Sequence, residues 1–248
     1  MIKRLFTGIA GVYDRMNRIL SLGRDRRWRR RAVATVRGQP VRILDLACGT
    51  GDFAFALAER FPEAEIVGVD LTPAMLEIAR AKNRSPRISF REGNAQALDS
   101  DLSPVGLVAC AFGFRNFPDR AAALREARRV LAEKGELLVL EFFRPRSKAL
   151  GFLTACWVRM LAGFFSGRHG SAYRYLTESM RTTVTEGEFV ALAAANGFVL
   201  AERRFFFPCC SCLRFFCIIS DIRLQSHKEE HDQGNIDQLL RSQLRRAR

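Results

Sequence analysis

The chain is predicted to be an α/β protein, a mostly parallel sheet with helices on both faces and a terminal antiparallel strand pair. Three observations predict it. Strand-like runs alternate with helical patterns from residue 41 onward, a glycine turn joins the first strand to its helix, and the last two strand-like runs adjoin each other. Alternation of this kind implies parallel strands covered on both sides.

Residues 1–40 read as a basic helical segment whose densest run is Arg24-Asp25-Arg26-Arg27-Trp28-Arg29-Arg30-Arg31. The main domain spans 41–220, with strands at 41–46, 65–70, 87–91, 105–111 and 136–142. Helices fall near 52–60, 73–82 and 119–132, and Lys134-Gly135 marks the turn before the fifth strand. An aromatic, basic, helical insertion at about 147–184 interrupts the pattern, and a helix at 185–196 ends at Asn196-Gly197. Strands at 198–207 and 211–219 close the sheet. Residues 221–248 form a polar tail with a short amphipathic pattern near 236–244.

The chain's 248 residues suffice for one well-cored domain. Forty Lys+Arg against 26 Asp+Glu give a net charge of +14, which suits an anionic surface, nucleic acid or lipid. The start, Met1-Ile2-Lys3-Arg4, does not lead into a signal-peptide core, and no run reaches about 18 apolar residues. A protein of the cytoplasm with reduced thiols is therefore expected. Cys209, Cys210, Cys212 and Cys217 lack the paired spacing of a metal site and read as small core residues.

Residues 45–52, Asp-Leu-Ala-Cys-Gly-Thr-Gly-Asp, carry the chemistry. They follow a β-branched run and precede a helix, which brings a ligand against a helix N-terminus. Gly49 and Gly51 let the backbone turn sharply and a ligand approach closely. The second strand ends in Asp70, placed to accept hydrogen bonds from both ribose hydroxyls. A third glycine for a pyrophosphate is missing, and Asp45 and Asp52 flank the turn with negative charge. That suits a cationic ligand carrying a sulfonium and an ammonium, S-adenosylmethionine. A turn serving only packing is the competing reading. Asn94 and Ala95 follow the third strand, where they can meet an adenine edge, or where Asn94 can bond its own backbone. The fourth strand ends in Ala111-Phe112-Gly113-Phe114-Arg115-Asn116-Phe117, setting a guanidinium, an amide and aromatics beside the cofactor.

At this point the chain resembles the ubiquinone/menaquinone biosynthesis C-methyltransferase family (UbiE/MenG), over roughly residues 10–200. Five passages carry the likeness: Tyr13-Asp14-Arg15-Met16-Asn17 with Leu20 to Gly23 and Trp28-Arg29-Arg30; Leu44 to Asp52; Ala111 to Asn116 with Asp119; Leu140-Glu141-Phe142 with Pro145; and Tyr173 to Leu176 with Glu178-Ser179. The resemblance implies a class I S-adenosylmethionine-dependent methyltransferase (Rossmann-like) fold. It also implies cofactor contacts at Thr50, Asp70, Asn94 and Ala95, and a further one at position 111, commonly Ser in the family and Ala111 here. Asp99-Ser100, Val105-Gly106 and the strands around Phe205 to Cys210 also depart from the family pattern.

The implied reaction is C-methylation of a polyprenylated quinol ring, demethylmenaquinol to menaquinol or the equivalent benzoquinol step, with no metal. The ring becomes nucleophilic when a neighbouring hydroxyl loses its proton. Arg115 and Asn116 are the candidates to stabilise the resulting oxyanion, and Tyr13 to orient the hydroxyl. Arginine is too weak an acid to serve as a base and is better as a fixed positive partner. Water, then Asp14 or His169, are the candidate proton acceptors. A methyltransferase of another acceptor, RNA included, and a non-catalytic relative are the alternatives. The YDxMN-type start and FGxRN passage argue against the first, the intact turn and Asp70 against the second.

The prenyl tail favours peripheral association with an anionic membrane surface, on the inner face, without nucleic acid; a homodimer is compatible with it. Leu150, Phe152, Leu153, Trp157, Leu161, Phe164 and Phe165 recur at helical intervals among cations, as expected of an apolar lid at 149–166. Packing of that stripe on the sheet is equally compatible with the periodicity.

Overall fold

The computed structural model describes residues 2–102, 104–145, 151–152, 156, 160, 178–179, 182–206 and 210–217. The helices described from end to end are α1 (Ile2–Leu20), α2 (Asp25–Val33), α3 (Asp52–Arg60), α4 (Pro73–Lys82), α5 (Arg120–Val130) and α6 (Glu186–Ala195). Its strands are β1 (Arg42–Leu46), β2 (Glu65–Asp70), β3 (Ile88–Glu92), β4 (Val105–Ala111), β5 (Leu131–Phe142), β6 (Phe198–Phe206) and β7 (Cys210–Cys217).

Seven strands form one sheet in the order β3-β2-β1-β4-β5-β7-β6. The first five are parallel, with Ile43 opposite Ile66 on one side and Leu107 on the other. β7 runs antiparallel to both β5 and β6, as expected for the closing pair. Ile43, Leu44 and Leu46 are all within 1% of fully buried, because parallel strands are covered on both faces. On one face α2, α3 and α4 pack Trp28, Leu57 and Leu76 against Ile43 and Leu138. On the other, α5 and α6 pack Leu124 and Phe189 against Leu44 and Val139.

Helix starts follow the local chemistry. The Asp119 carboxylate accepts the Ala122 N–H at 2.9 Å to open α5, and a reciprocal Thr185–Glu188 capping box opens α6. Gly197, at φ 85°, ends α6 where Asn196-Gly197 was expected to.

Two expectations shift. β5 begins at Leu131 rather than 136, and Lys134-Gly135 lies inside it as an irregularity. Lys134 takes φ 64°, and the register jumps from Val105↔Leu131 to Leu107↔Glu136. Local turn chemistry was legible there, but pairing of the flanking residues with β4 was not. Most of the cysteine run is strand: Cys210 and Cys212 are buried core residues of β7, while Cys209 lies outside the described residues. β7 also carries Arg214, buried, with Nη1 3.3 Å from Glu136 of β5 and Nη2 3.3 Å from Glu202 of β6.

Most of the insertion at 147–184, His169 included, and the tail from 221 lie outside the described residues. No helix among the described residues is long and apolar enough to cross a membrane.

Candidate active site

A cavity of about 490 Å³ opens at the carboxyl ends of β1, β2, β3 and β4, walled on one side by α1. Its floor is the turn after β1. Gly49 takes φ 55° and Gly51 φ 85°. A Cβ at Gly51 would come within 2.9 Å of Phe90 and 3.0 Å of Phe55, so that glycine is required for packing. A Cβ at Gly49 would meet only Tyr13 Cε1, 3.9 Å away, on the cavity side. The second glycine shapes the turn, and the first leaves room for a ligand.

Asp70 ends β2 at the cavity wall. Its Oδ2 accepts the Gly49 N–H at 2.9 Å and its Oδ1 the Thr72 N–H at 2.8 Å. Burial raises its pKa above the ordinary value, and those amides oppose the shift. The carboxylate is thus fixed in direction, with lone pairs left for hydroxyl donors. Ala95 and Asn94 line the cavity beyond β3. Asn94 Oδ1 accepts the Gln96 N–H at 3.0 Å, so it closes its own turn while facing the cavity.

The acceptor side is built by the turn after β4. Ala111, Phe112, Gly113, Asn116 and Phe117 line the cavity there. Phe112 holds φ 60°, sparsely populated for a bulky residue and of the kind found at functional sites. A Cβ at Gly113 would approach Ala47 Cβ to 2.8 Å, so the two turns pack directly on each other. Phe112 stacks on Phe142 at 4.8 Å, and Arg29 of α2 lies 5.4 Å from the Phe112 ring centroid.

Of the residues singled out in the sequence, Tyr13, Gly49, Asp70, Asn94, Ala95, Ala111 and Asn116 come together around this cavity. Asp45, Thr50, Gly51 and Arg115 do not line it. The Arg115 side chain is buried at 4% exposure. Its Nη1 donates to Glu141 Oε1 at 2.7 Å and to the Phe112 carbonyl at 2.8 Å, and its N–H donates to Glu141 Oε2 at 3.1 Å. It braces the turn from behind.

Asp45 is fully buried beneath the glycine turn, and its oxygens lack hydrogen bonds of ordinary geometry. Burial pushes its carboxyl well above the usual range, against the pull of Arg29, with Asp70 adding to the rise. Thr50 donates its hydroxyl to Asp14 Oδ1 at 2.6 Å. The charge of Asp52, expected to face a cationic ligand, is met by Lys82 at 2.6 Å.

Sequence reasoning missed Lys3 and Phe6 of α1, and Leu71, Thr72 and Met75, as cavity lining. Leu71 and Thr72 had a signal, their position just after the strand-end carboxylate. Lys3 and Phe6 had only their shared helical face with Tyr13.

Residues 1–212 match the model of the ubiE/COQ5 methyltransferase family. The chain is 47% identical over 201 residues to the demethylmenaquinone methyltransferase of Thermus thermophilus, covering 78% of this chain and 91% of that one. It is 41% identical over 199 residues to the ubiquinone/menaquinone biosynthesis C-methyltransferase of Syntrophotalea carbinolica, covering 78% and 84%. Among solved structures, the Bacillus subtilis YcgJ protein superposes with a TM-score of 0.58 at 16% identity, over 78% of this chain and 99% of that one. Human N-acetylserotonin methyltransferase in complex with S-adenosylmethionine does so with a TM-score of 0.56 at 17% identity, over 77% and 52%. Those two likenesses concern the fold alone, that of a class I methyltransferase.

Proposed function

The chain belongs to the ubiE/COQ5 methyltransferase family, and from that premise we propose that it methylates a ring carbon of a polyprenylated quinol, as in the step from demethylmenaquinol to menaquinol. The observation that carries this reading is one cavity joining two chemistries. A fixed carboxylate and a bare glycine backbone lie on one side, and Phe112, Phe117 and Asn116 on the other.

S-adenosylmethionine supplies an electrophilic methyl on a sulfonium. Asp70 holds the ribose hydroxyls, Gly49 gives backbone clearance, and Asn94 with Ala95 borders the adenine. Phe112 and Phe117 form an apolar bed for the quinol ring. The hydroxyl of Tyr13 and the amide of Asn116 are the polar groups set to orient the ring oxygen as it gives up its proton. Holding the two reactants at contact distance in a closed site is worth several kcal/mol of barrier. Arg115 serves here as a positioning residue, since its buried pair with Glu141 sets the turn that presents Asn116.

The prenyl tail places the enzyme at a membrane surface, on the cytoplasmic side, because each CH₂ taken out of lipid costs about 0.8 kcal/mol. The outer face of α2 supports this. Arg26, Arg27 and Arg31 are exposed there, Arg30 is exposed but paired with Glu59 of α3 at 2.9 Å, and Asp25, the helix's own acidic residue, is turned inward to Arg29 at 2.7 Å. Leu22, 60% exposed, stands at the corner between α1 and α2.

The test is incubation of the full chain with methyl-labelled S-adenosylmethionine and demethylmenaquinol in vesicles. Label on the quinone ring is the expected result. Tight cofactor binding without label in any quinol from a membrane lipid extract would overturn the reading.

A further inference from the structure

Among the described residues, α1 meets the rest of the molecule mainly along α4. Its buried side, Ile9, Ala10 and Met16, packs on Met75 of α4. The same helix supplies Lys3, Phe6 and Tyr13 to the cavity wall, and the Tyr13 ring stands over Gly49. Beyond that apolar seam, two polar ties hold it among the described residues. Lys3 Nζ meets Glu92 Oε1 at 2.5 Å, where β3 ends. Asp14, next to Tyr13, takes the Thr50 hydroxyl on Oδ1 at 2.6 Å and Lys82 Nζ on Oδ2 at 3.0 Å. Lys82 also holds Asp52 at 2.6 Å, so one carboxylate links α1 to the glycine turn, to α4 and to the first residue of α3.

The quality of these ties matters. The Asp14 and Lys82 side chains are 35% and 31% exposed, and their ion pair is screened by water. On the outer side of α1, Gly8 and Gly11 have nothing within 4 Å of where a Cβ would stand, and glycine weakens a helix interior. A wall held by one apolar seam and solvent-screened ion pairs opens far more easily than the sheet core. The cavity it closes is the one that must admit and release ligands.

We infer that α1 is a movable wall of the active site and that Asp14 is its latch, a positioning residue that seats Tyr13 over the glycine turn. When the Thr50–Asp14–Lys82 bridge is made, the cavity is closed and Tyr13 is in register with the acceptor. When it breaks, α1 swings on its seam with α4. Asp14 is thereby committed to holding the helix rather than to accepting a proton. A latch changes the fraction of molecules that are closed, so its loss raises apparent dissociation constants by the inverse of that fraction and leaves the saturated rate close to its parent value. The substrate named here rests on the quinol reading; the movement does not.

The experiment compares the full-length parent with Asp14→Ala and Lys82→Met, two variants that cut the bridge from opposite sides. Amide hydrogen exchange over residues 2–20 is measured with and without S-adenosylhomocysteine, alongside cofactor titration and quinol kinetics. Expected are slower α1 exchange in the parent on adding ligand, and about tenfold faster α1 exchange in each variant with β4 and α5 unchanged. Cofactor Kd and quinol KM are expected to rise about tenfold, with kcat within about threefold. Asp14→Asn, which keeps an acceptor for Thr50 but not the charge for Lys82, is expected to fall between. Parent-like α1 exchange and Kd in both variants would overturn the inference. So would faster exchange across the whole domain with a lower unfolding midpoint, which would make Asp14 merely structural. If the parent methylates no quinol while α1 exchange still responds to ligand and to the variants, the latch stands and the substrate reading falls.

Discussion

Gly49 and Asp70, 21 positions apart, are joined by an N–H···O bond of 2.9 Å that ties the glycine turn to the end of β2. The bond aims the carboxylate and sets the height of the turn at once. Asp70→Ala is therefore expected to weaken cofactor binding by about 1.5–3 kcal/mol, the range for charge-assisted hydrogen bonds. Titration calorimetry checks it, and unchanged affinity would remove Asp70 from the ribose site.

Replacing Arg115 should damage the fold as well as turnover. Arg115→Met leaves Glu141, 2% exposed, as an uncompensated buried charge, expected to cost about 3–5 kcal/mol in urea unfolding. Arg115→Met with Glu141→Gln should recover part of that loss. If Arg115→Met unfolds at the parent's midpoint while kcat alone collapses, Arg115 acts on the oxyanion directly and the bracing role is wrong.

Asp45 gives a pH test with a definite sign. Its folded-state pKa lies above the ordinary 3.8, so the stability linked to this group is full below about pH 3.8 and lost as pH rises through the folded value. Asparagine cannot ionise and escapes that loss. Without cofactor, Asp45→Asn is expected to gain in urea midpoint relative to the parent between pH 4 and pH 7.5. The opposite trend would mean that the Arg29 charge outweighs burial.

Membrane docking is tested on α2. Arg26, Arg27 and Arg31 are exposed and each well-placed cation is worth about 1 kcal/mol near an anionic surface. Reversing all three to Glu is expected to cut sedimentation with phosphatidylserine vesicles by at least about tenfold, and high salt should do the same to the parent. Equal sedimentation of the folded triple variant would move docking away from α2.

Much of this architecture was legible because its signals are local. The strand from Glu65 to Asp70, the glycine turn and the Asn196-Gly197 stop each declare themselves within a few residues, and the structure places them there. What escaped depends on distant partners. Arg115 reads as a partner for the substrate oxyanion until Glu141 is found 26 positions on, and Asp52 as a charge facing a cationic ligand until Lys82 comes beside it from α4. Thr50 is drawn to Asp14 across 36 positions. No periodicity encodes such pairings; they arise when helices and turns meet over the sheet.

The placement of β7 has a consequence for how the chain is made. It leaves the ribosome after β6 yet belongs between β5 and β6, so β6 must wait for its neighbour and β5 meanwhile presents an open ladder. Arg214 arrives with it and gives Glu136 its buried countercharge. Until then the nascent domain is a half-closed sheet with an apolar edge, the kind of species that aggregates or recruits chaperones. A chain stopped after residue 206 is expected to lose most of its soluble yield, measured as soluble fraction on expression. A soluble shortened chain that still binds cofactor would show that the parallel half closes on its own. The timing of synthesis is thus written into the strand order, and the last of the described strands to emerge is the one that joins β5 to β6.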